Sequence, residues 1–298
     1  MTPDRYRGCL LGLATGDAVG AALEFKERGT FEPVTDMVGG GAFALAPGQW
    51  TDDTSMALCL ATSLVRCNSF DPDDQMRLYC RWNETGYLSS TGRCFDIGGA
   101  TAHALDRYRA TGDPYAGSTD PRSAGNGCLM RLAPVVLFFH GDTDEAERHA
   151  ALSARTTHGA PACLDACRLL ARILHRALDG RPKEDLLPGS SFEGVAEIAA
   201  IARGGFRERD VEGVRGTGYV VDSLGAALWC FWRTGSFEEA ILAAANLGGD
   251  ADTTAAVCGQ VAGAYYGERA IPAHWLDRLT MADDIRLLAD RLCARRQA

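Results

Sequence analysis

Lysine is almost missing from this sequence. Lys26 and Lys183 are the only two in 298 residues, so arginine carries nearly all the positive charge. The balance is acidic all the same, with 30 basic against 39 acidic side chains and a net charge of −9. A nucleic-acid-binding surface needs a basic face, and no Lys/Arg run exceeds the pair Arg295-Arg296, so no nucleic-acid partner is expected. Long uncharged apolar runs are missing as well. No stretch of about 18 such residues occurs, so no membrane-spanning helix is expected. The start, Met1-Thr2-Pro3-Asp4-Arg5, lacks the charged region and cleavage site of a secretory signal, and its apolar continuation is interrupted by Gly12, Gly16 and Asp17. Cysteine is plentiful at eleven, but the number is odd, the positions are scattered and no Cys-x-x-Cys pair occurs. Buried, reduced thiols in a cytoplasmic protein are the expectation.

The signatures of several enzyme classes are absent too. There is no phosphate-cradling Walker loop and no dinucleotide-binding GxGxxG. No serine sits in a nucleophile elbow, so a Ser-His-Asp triad has no support.

Strand-like alternation is nearly absent, whereas helical spacing is common. Met56, Leu60 and Leu64 recur every four residues; Leu164, Cys167, Leu170, Ala171 and Leu174 follow the i, i+3, i+4 pattern, as do Leu224, Leu228 and Phe231. Further helices are expected near residues 4–15, 72–84, 98–110, 130–139, 143–154, 192–203, 237–245, 252–266 and 282–295. Glycine and proline breaks separate them, and none is long enough to link two domains. A single all-α domain over residues 1–298 is therefore expected, with its site built from loops and helix starts.

Acid is concentrated in two places. Thr51-Asp52-Asp53-Thr54 and Asp250-Ala251-Asp252-Thr253-Thr254 each lead straight into an apolar, helix-like run. Carboxylates with a neighbouring hydroxyl are the ligands hard cations take, and neither cluster contains His or Cys. The plain alternative is helix capping. Paired aspartates repel one another, however, and a cation relieves that repulsion; two such clusters point to an oxygen-lined Mg2+ or Mn2+ site. Gly248 and Gly249 would let the backbone approach a ligand closely.

Three further segments stand out. Asp17 and Glu24 lie among small and apolar residues; partial burial of Glu24 would raise its pKa and suit acid–base work. Ser123-Ala124-Gly125-Asn126-Gly127 is either a plain Asn-Gly turn or a loop whose N–H groups face phosphate oxygens. His158, in Thr157-His158-Gly159, precedes a long helix and is either a loop histidine or a ligand contact.

Taken in order, these pieces resemble the ADP-ribosylglycohydrolase family, in the branch of the dinitrogenase reductase-activating glycohydrolases. The likeness runs from about residue 5 to residue 268. It begins with Gly8-Cys9-Leu10-Leu11-Gly12-Leu13-Ala14-Thr15-Gly16-Asp17-Ala18-Val19-Gly20 and continues through Trp50-Thr51-Asp52-Asp53-Thr54 and Phe95-Asp96-Ile97-Gly98. Gly125-Asn126-Gly127-Cys128-Leu129-Met130-Arg131 and Thr157-His158-Gly159-Ala160-Pro161 follow. Gly218-Tyr219-Val220-Val221 and Gly248-Gly249-Asp250-Ala251-Asp252-Thr253-Thr254-Ala255-Ala256 close it.

The resemblance implies a compact all-α multi-helix bundle with a cleft holding a dinuclear centre of two Mg2+ or Mn2+ ions. It implies Thr51, Asp52, Asp53, Asp250, Asp252 and Thr253 as metal ligands. Glu24, Asp53 and Asp96 would be the catalytic carboxylates, Asp96 lying near the scissile bond and the guanidinium. Ser123, Gly125, Asn126, Gly127, His158 and Tyr219 would contact ADP-ribose. The implied reaction is metal-dependent removal of mono-ADP-ribose from arginine side chains of a modified protein, by a monomer, with ADP-ribose as product. O-linked ADP-ribose on serine or on acetate, another metal-dependent hydrolysis, and a catalytically silent binding module are the alternatives. Substrate choice is expected to reside in the segment between Phe25 and Trp50, which flanks the entrance.

Overall fold

The computed structural model describes residues 3–294. The Arg295-Arg296 pair and the last residue of the helix expected at 282–295 lie outside them, as do Met1 and Thr2 of the start. Thirteen α-helices follow one another among the described residues, with isolated β-bridges and no strand. The first six are α1 (Asp4–Gly20), α2 (Asp52–Cys67), α3 (Pro72–Thr85), α4 (Gly99–Thr111), α5 (Ala133–Phe139) and α6 (Thr143–Arg155). The remainder are α7 (Pro161–Leu178), α8 (Ala196–Ala202), α9 (Val220–Arg233), α10 (Phe237–Ala245), α11 (Ala251–Tyr266), α12 (Ala273–Leu276) and α13 (Ala282–Ala294). All eleven cysteines are free, and only Cys67 and Cys94 are less than buried.

The centre of the bundle is the antiparallel pair α1 and α11. Glycine recurs every fourth residue in α1, at Gly8, Gly12, Gly16 and Gly20, which aligns the four on one face. That face meets Ala251, Ala255, Gly259 and Gly263 on α11, and no side chain separates the two backbones. A β-carbon on Gly16 would lie 2.1 Å from the Ala255 carbonyl oxygen, and one on Gly259 would lie 2.0 Å from the Gly12 oxygen. This explains why α1 runs five residues past the expected end at residue 15. Gly12 and Gly16, which look like interruptions in one dimension, are the contact surface in three. Both helices are buried on nearly every side, so a residue at either end of the seam is in the interior.

The seam has a consequence for chemistry. Because the pair is antiparallel, the last turn of α1 sits beside the first turn of α11. Asp17, on that last turn, reaches the start of α2. Its Oδ1 accepts from the backbone N–H of Thr51 at 2.9 Å and lies 2.9 Å from the Thr51 hydroxyl. Its Oδ2 accepts from the Thr54 N–H at 3.0 Å and from the Thr54 hydroxyl at 2.6 Å. Asp17 thus caps α2 from another helix, satisfying N–H groups that a local side chain would normally take.

The helix expected over 130–139 starts at Ala133. Before it, residues 126–132 form turns clamped by buried Gln260, whose amide donates to the carbonyls of Leu129 and Met130 and accepts from the Ala133 N–H. Likewise, the helix expected at 192–203 is shortened to Ala196–Ala202.

Candidate active site

The capping explanation of the two acidic clusters can be tested directly. Elsewhere in the protein Asp71, Asp142 and Ser236 cap their own helices through side-chain hydrogen bonds. At the starts of α2 and α11 neither capping residue does so. The carboxylates of Asp52, Asp53 and Asp252 are buried and turned away from their own helix ends. They line one cleft together with Glu24, Asp96, Asp250 and Thr253, in a cavity of about 370 Å3.

Ligand-type oxygens of Glu24, Asp96 and Asp252 all lie within 4.8 Å of one another. The Thr253 hydroxyl is 3.3 Å from Asp53 Oδ1, and the Thr51 hydroxyl is 3.3 Å from Asp252 Oδ2. Asp250 Oδ2 accepts from the Asn126 amide at 2.8 Å, and that amide also donates to Ser223. Three buried carboxylate oxygens in this group have no hydrogen-bond partner: Glu24 Oε2, Asp53 Oδ2 and Asp252 Oδ1. Buried polar atoms are nearly always satisfied, and a buried charge without a partner is costly. Three such oxygens facing one cleft are the donor set a hard divalent cation takes, so the residues present fit Mg2+ or Mn2+.

The electrostatics agree. Burial, followed by the charge of Asp96, pushes the Asp52 carboxyl well above the usual carboxylate range. Burial, followed by the nearby charges of other aspartates, does the same to Asp53 and Asp252. Glu24 is raised to about 9 by burial and then by Asp96, and Asp96 to about 7, chiefly by burial. Asp17 is held at about 6, because burial outweighs its four donors. Each of these groups binds its proton more tightly folded than unfolded. Each therefore costs stability once pH rises above its unfolded value, near 4, and most fully above its folded value. The metal-free protein should melt at falling temperature as pH is raised from about 4 to about 9, with added Mg2+ or Mn2+ restoring most at the alkaline end. Scanning fluorimetry across that range, with and without chelator, checks this. A flat metal-free profile would contradict a cluster built for cations.

The other wall of the cleft is the segment Gly125–Gly127 with His158 behind it. The imidazole sits so close to both glycines that a β-carbon on Gly127 would lie 2.8 Å from its ring. Buried Arg131 orients this histidine through a neighbour. Its guanidinium donates to the Gly127 carbonyl at 3.0 Å and to the Thr157 hydroxyl at 2.6 Å. The Thr157 hydroxyl also lies 2.7 Å from His158 Nδ1. His158 Nε2 is the ring nitrogen turned toward Gly125 and Gly127 at the cleft. Burial drops its pKa to about 4, so the ring is neutral near pH 7.

The residues singled out in the sequence fall into two adjoining hollows. Glu24, Asp52, Asp53, Asp96, Gly125, Asn126, Gly127, His158, Asp250, Asp252 and Thr253 line the main cleft. Thr51 is fully buried beneath it, between Asp17 and Asp252. Ser123 and Tyr219 line a shallower hollow with Arg122, across the rim formed by Gly125 and Gly218. Two N–H groups of the loop are used inside the protein, Gly125 on the Ser123 carbonyl and Asn126 on the Gly218 carbonyl. Capping was among the readings open for Asp17, but spacing could not show that the helix it caps is α2, and it gave no role to Arg131. The lone arginine among Leu129, Met130 and Leu132 was the available signal for such a role.

The family model for ADP-ribosylglycohydrolase matches residues 1–298. The chain belongs to this family. It is 44% identical to "ADP-ribosylarginine hydrolase Tri1" of Pseudomonas putida (strain GB-1), over 97% of this chain and 78% of that protein. It is 34% identical to the "ADP-ribosyl-[dinitrogen reductase] glycohydrolase" of Rhodospirillum rubrum, over 98% of this chain and 96% of that one. Among solved structures it is similar to a chain of an "ADP-ribosylglycohydrolase-related protein complex", with 48% identity, a TM-score of 0.89 and 98% coverage of both chains. The all-α architecture expected from the sequence is the one observed.

Proposed function

We propose that this protein is a metal-dependent hydrolase that removes mono-ADP-ribose from arginine side chains. The observation that carries the reading is the group of partnerless buried carboxylate oxygens of Glu24, Asp53 and Asp252 on the cleft wall, with Asp96 beside them. Relatives at 42–44% identity named as ADP-ribosylarginine hydrolases support the substrate.

Asp52, Asp53, Asp250, Asp252, Thr51 and Thr253 would hold two Mg2+ or Mn2+ ions. When bound, such ions supply Lewis acidity and a template for the vicinal ribose hydroxyls. The chain's own groups do the rest. Gly127 and the neutral His158 ring would face the pyrophosphate, which lets an acidic protein bind an anion without a basic pocket. Tyr219, 42% exposed in the shallow hollow, offers a ring face for adenine. The bond to be broken joins the anomeric carbon to a guanidinium nitrogen. Water supplies its oxygen to the carbon and a proton to the nitrogen. Asp96 is placed to accept from the guanidinium N–H groups, and carboxylates around the carbon stabilise its developing positive charge. Glu24 or Asp96 would pass the proton released by the water to the leaving nitrogen.

The test is release of free ADP-ribose from an arginine-modified and a serine-modified protein, each with Mg2+, Mn2+ or chelator. Metal-dependent release from the arginine substrate, lost in Asp96→Asn with metal binding retained, is the expected result. Release from the serine substrate alone would transfer catalysis to Glu24 and overturn the arginine assignment.

A further inference from the structure

Glu24 and Asp96 each have an aromatic neighbour in sequence, and one of these rings, Phe25, lies at the edge of the main cleft. Phe25 follows Glu24 and is 68% exposed. Its φ is +62°, in the left-handed region that a β-carbon disfavours, and its N–H is tied to the Gly249 carbonyl at 2.7 Å. Phe95 precedes Asp96, which has the same φ of +62°. Phe43, from the segment between Phe25 and Trp50, bridges the two. Its ring lies edge-on to Phe25 at 6.2 Å and against Phe95 at 5.2 Å.

Phe43 and Phe95 continue into a second hollow of about 240 Å3, completed by Leu45, Thr91, Arg93 and Cys94. Arg93 is exposed, and its guanidinium has no carboxylate partner among the described residues. On a protein of net charge −9, this places a free cation beside an aromatic hollow.

Position decides what this surface meets. ADP-ribose ends at its anomeric carbon, beside Glu24 and Asp96. Past those carboxylates lies only the leaving group and the polypeptide that carries it. We propose that the Phe25–Phe43–Phe95 ledge and Arg93 dock the stretch of target polypeptide next to the modified arginine, taking an apolar side chain into the hollow and an acidic side chain onto Arg93. This rests on the arginine-linked reading above. Aromatic rings give such a surface contact area at little entropic cost, and Arg93 fixes register through charge.

The test uses the full chain, as wild type, Phe43→Ala and Arg93→Glu. The substrates are free ADP-ribosylarginine and an ADP-ribosylated peptide with a leucine and an aspartate beside the modified arginine. Each variant should lose about tenfold in kcat/KM on the peptide and almost nothing on free ADP-ribosylarginine. The loss in Arg93→Glu should be recovered on a peptide whose aspartate is replaced by lysine. Retained turnover of the small substrate shows that both variants are folded. Equal losses on the two substrates, or none on the peptide, would overturn the docking surface. Affinity for the fluorescent peptide, read by anisotropy, separates the two claims. If the wild type cleaves neither arginine substrate yet Phe43→Ala weakens the peptide, the docking surface stands and the arginine reading fails.

Discussion

Asp252→Ala should leave a folded protein that has lost its metal and at least about a thousandfold in kcat/KM. Asp252 is nearly fully buried, lies within 4.8 Å of the Glu24 and Asp96 oxygens, and keeps one oxygen without a partner. No other residue can replace it, because the surrounding acids already point at the same volume. The prediction has a second part that a purely structural aspartate would not share. Removing Asp252 takes one charge out of a repelling cluster, so the metal-free variant should melt at or above the temperature of the metal-free wild type. Its melting temperature should also no longer respond to Mg2+ or Mn2+. Metal content by elemental analysis, steady-state kinetics and a chelator titration of thermal stability measure all three. Full activity with bound metal would remove Asp252 from the ligand set.

Gly16→Leu should abolish folding, and Gly16→Ala should cost about 3 kcal/mol. Helix propensity argues the other way, since alanine is favoured over glycine by about 1 kcal/mol inside a helix. Sterics win here because the added carbon would stand 2.1 Å from the Ala255 carbonyl oxygen, and neither backbone can yield without opening the α1–α11 seam. Opening it would also separate Asp17 from α2 and the last turn of α1 from Asp252. The Gly16→Ala protein should therefore lose metal affinity together with stability. Gly213→Ala is the control: a β-carbon there meets nothing within 4 Å and φ is not positive, so its effect should stay within about 0.5 kcal/mol. Denaturant unfolding of the two variants decides the matter. Equal stabilities would mean that the seam is looser than its geometry.

Much of this protein is legible from periodicity alone. The apolar spacing behind Asp52-Asp53 and through Leu164–Leu174 appears as α2 and α7, and breaks at Pro and Gly fall between helices as expected. Errors came where tertiary contact overrides local preference. Gly16 and Gly20 continue a helix expected to end at residue 15, because the close approach of α11 needs them. Residues 130–132 stay outside α5 because Gln260, on a distant helix, takes the carbonyls of Leu129 and Met130 and the N–H of Ala133.

The site divides along the same line. Residue chemistry by itself determined that two clusters of carboxylate and hydroxyl suit a hard cation, since ligand type is a property of side chains and holds in any fold. It also determined the helical class, since period and breakers are local. Only the tertiary structure decided that the clusters are one site. The α1–α11 seam, closed by glycine and alanine, carries Asp252 to Glu24, while Asp17 ties α2 to the same place. Nor could spacing show that the clusters leave their own helix ends uncapped, that Arg131 and Thr157 pack against His158, or that Phe43 spans Phe25 and Phe95. Those are relations between residues far apart in the chain, and only packing brings such residues within reach of one another.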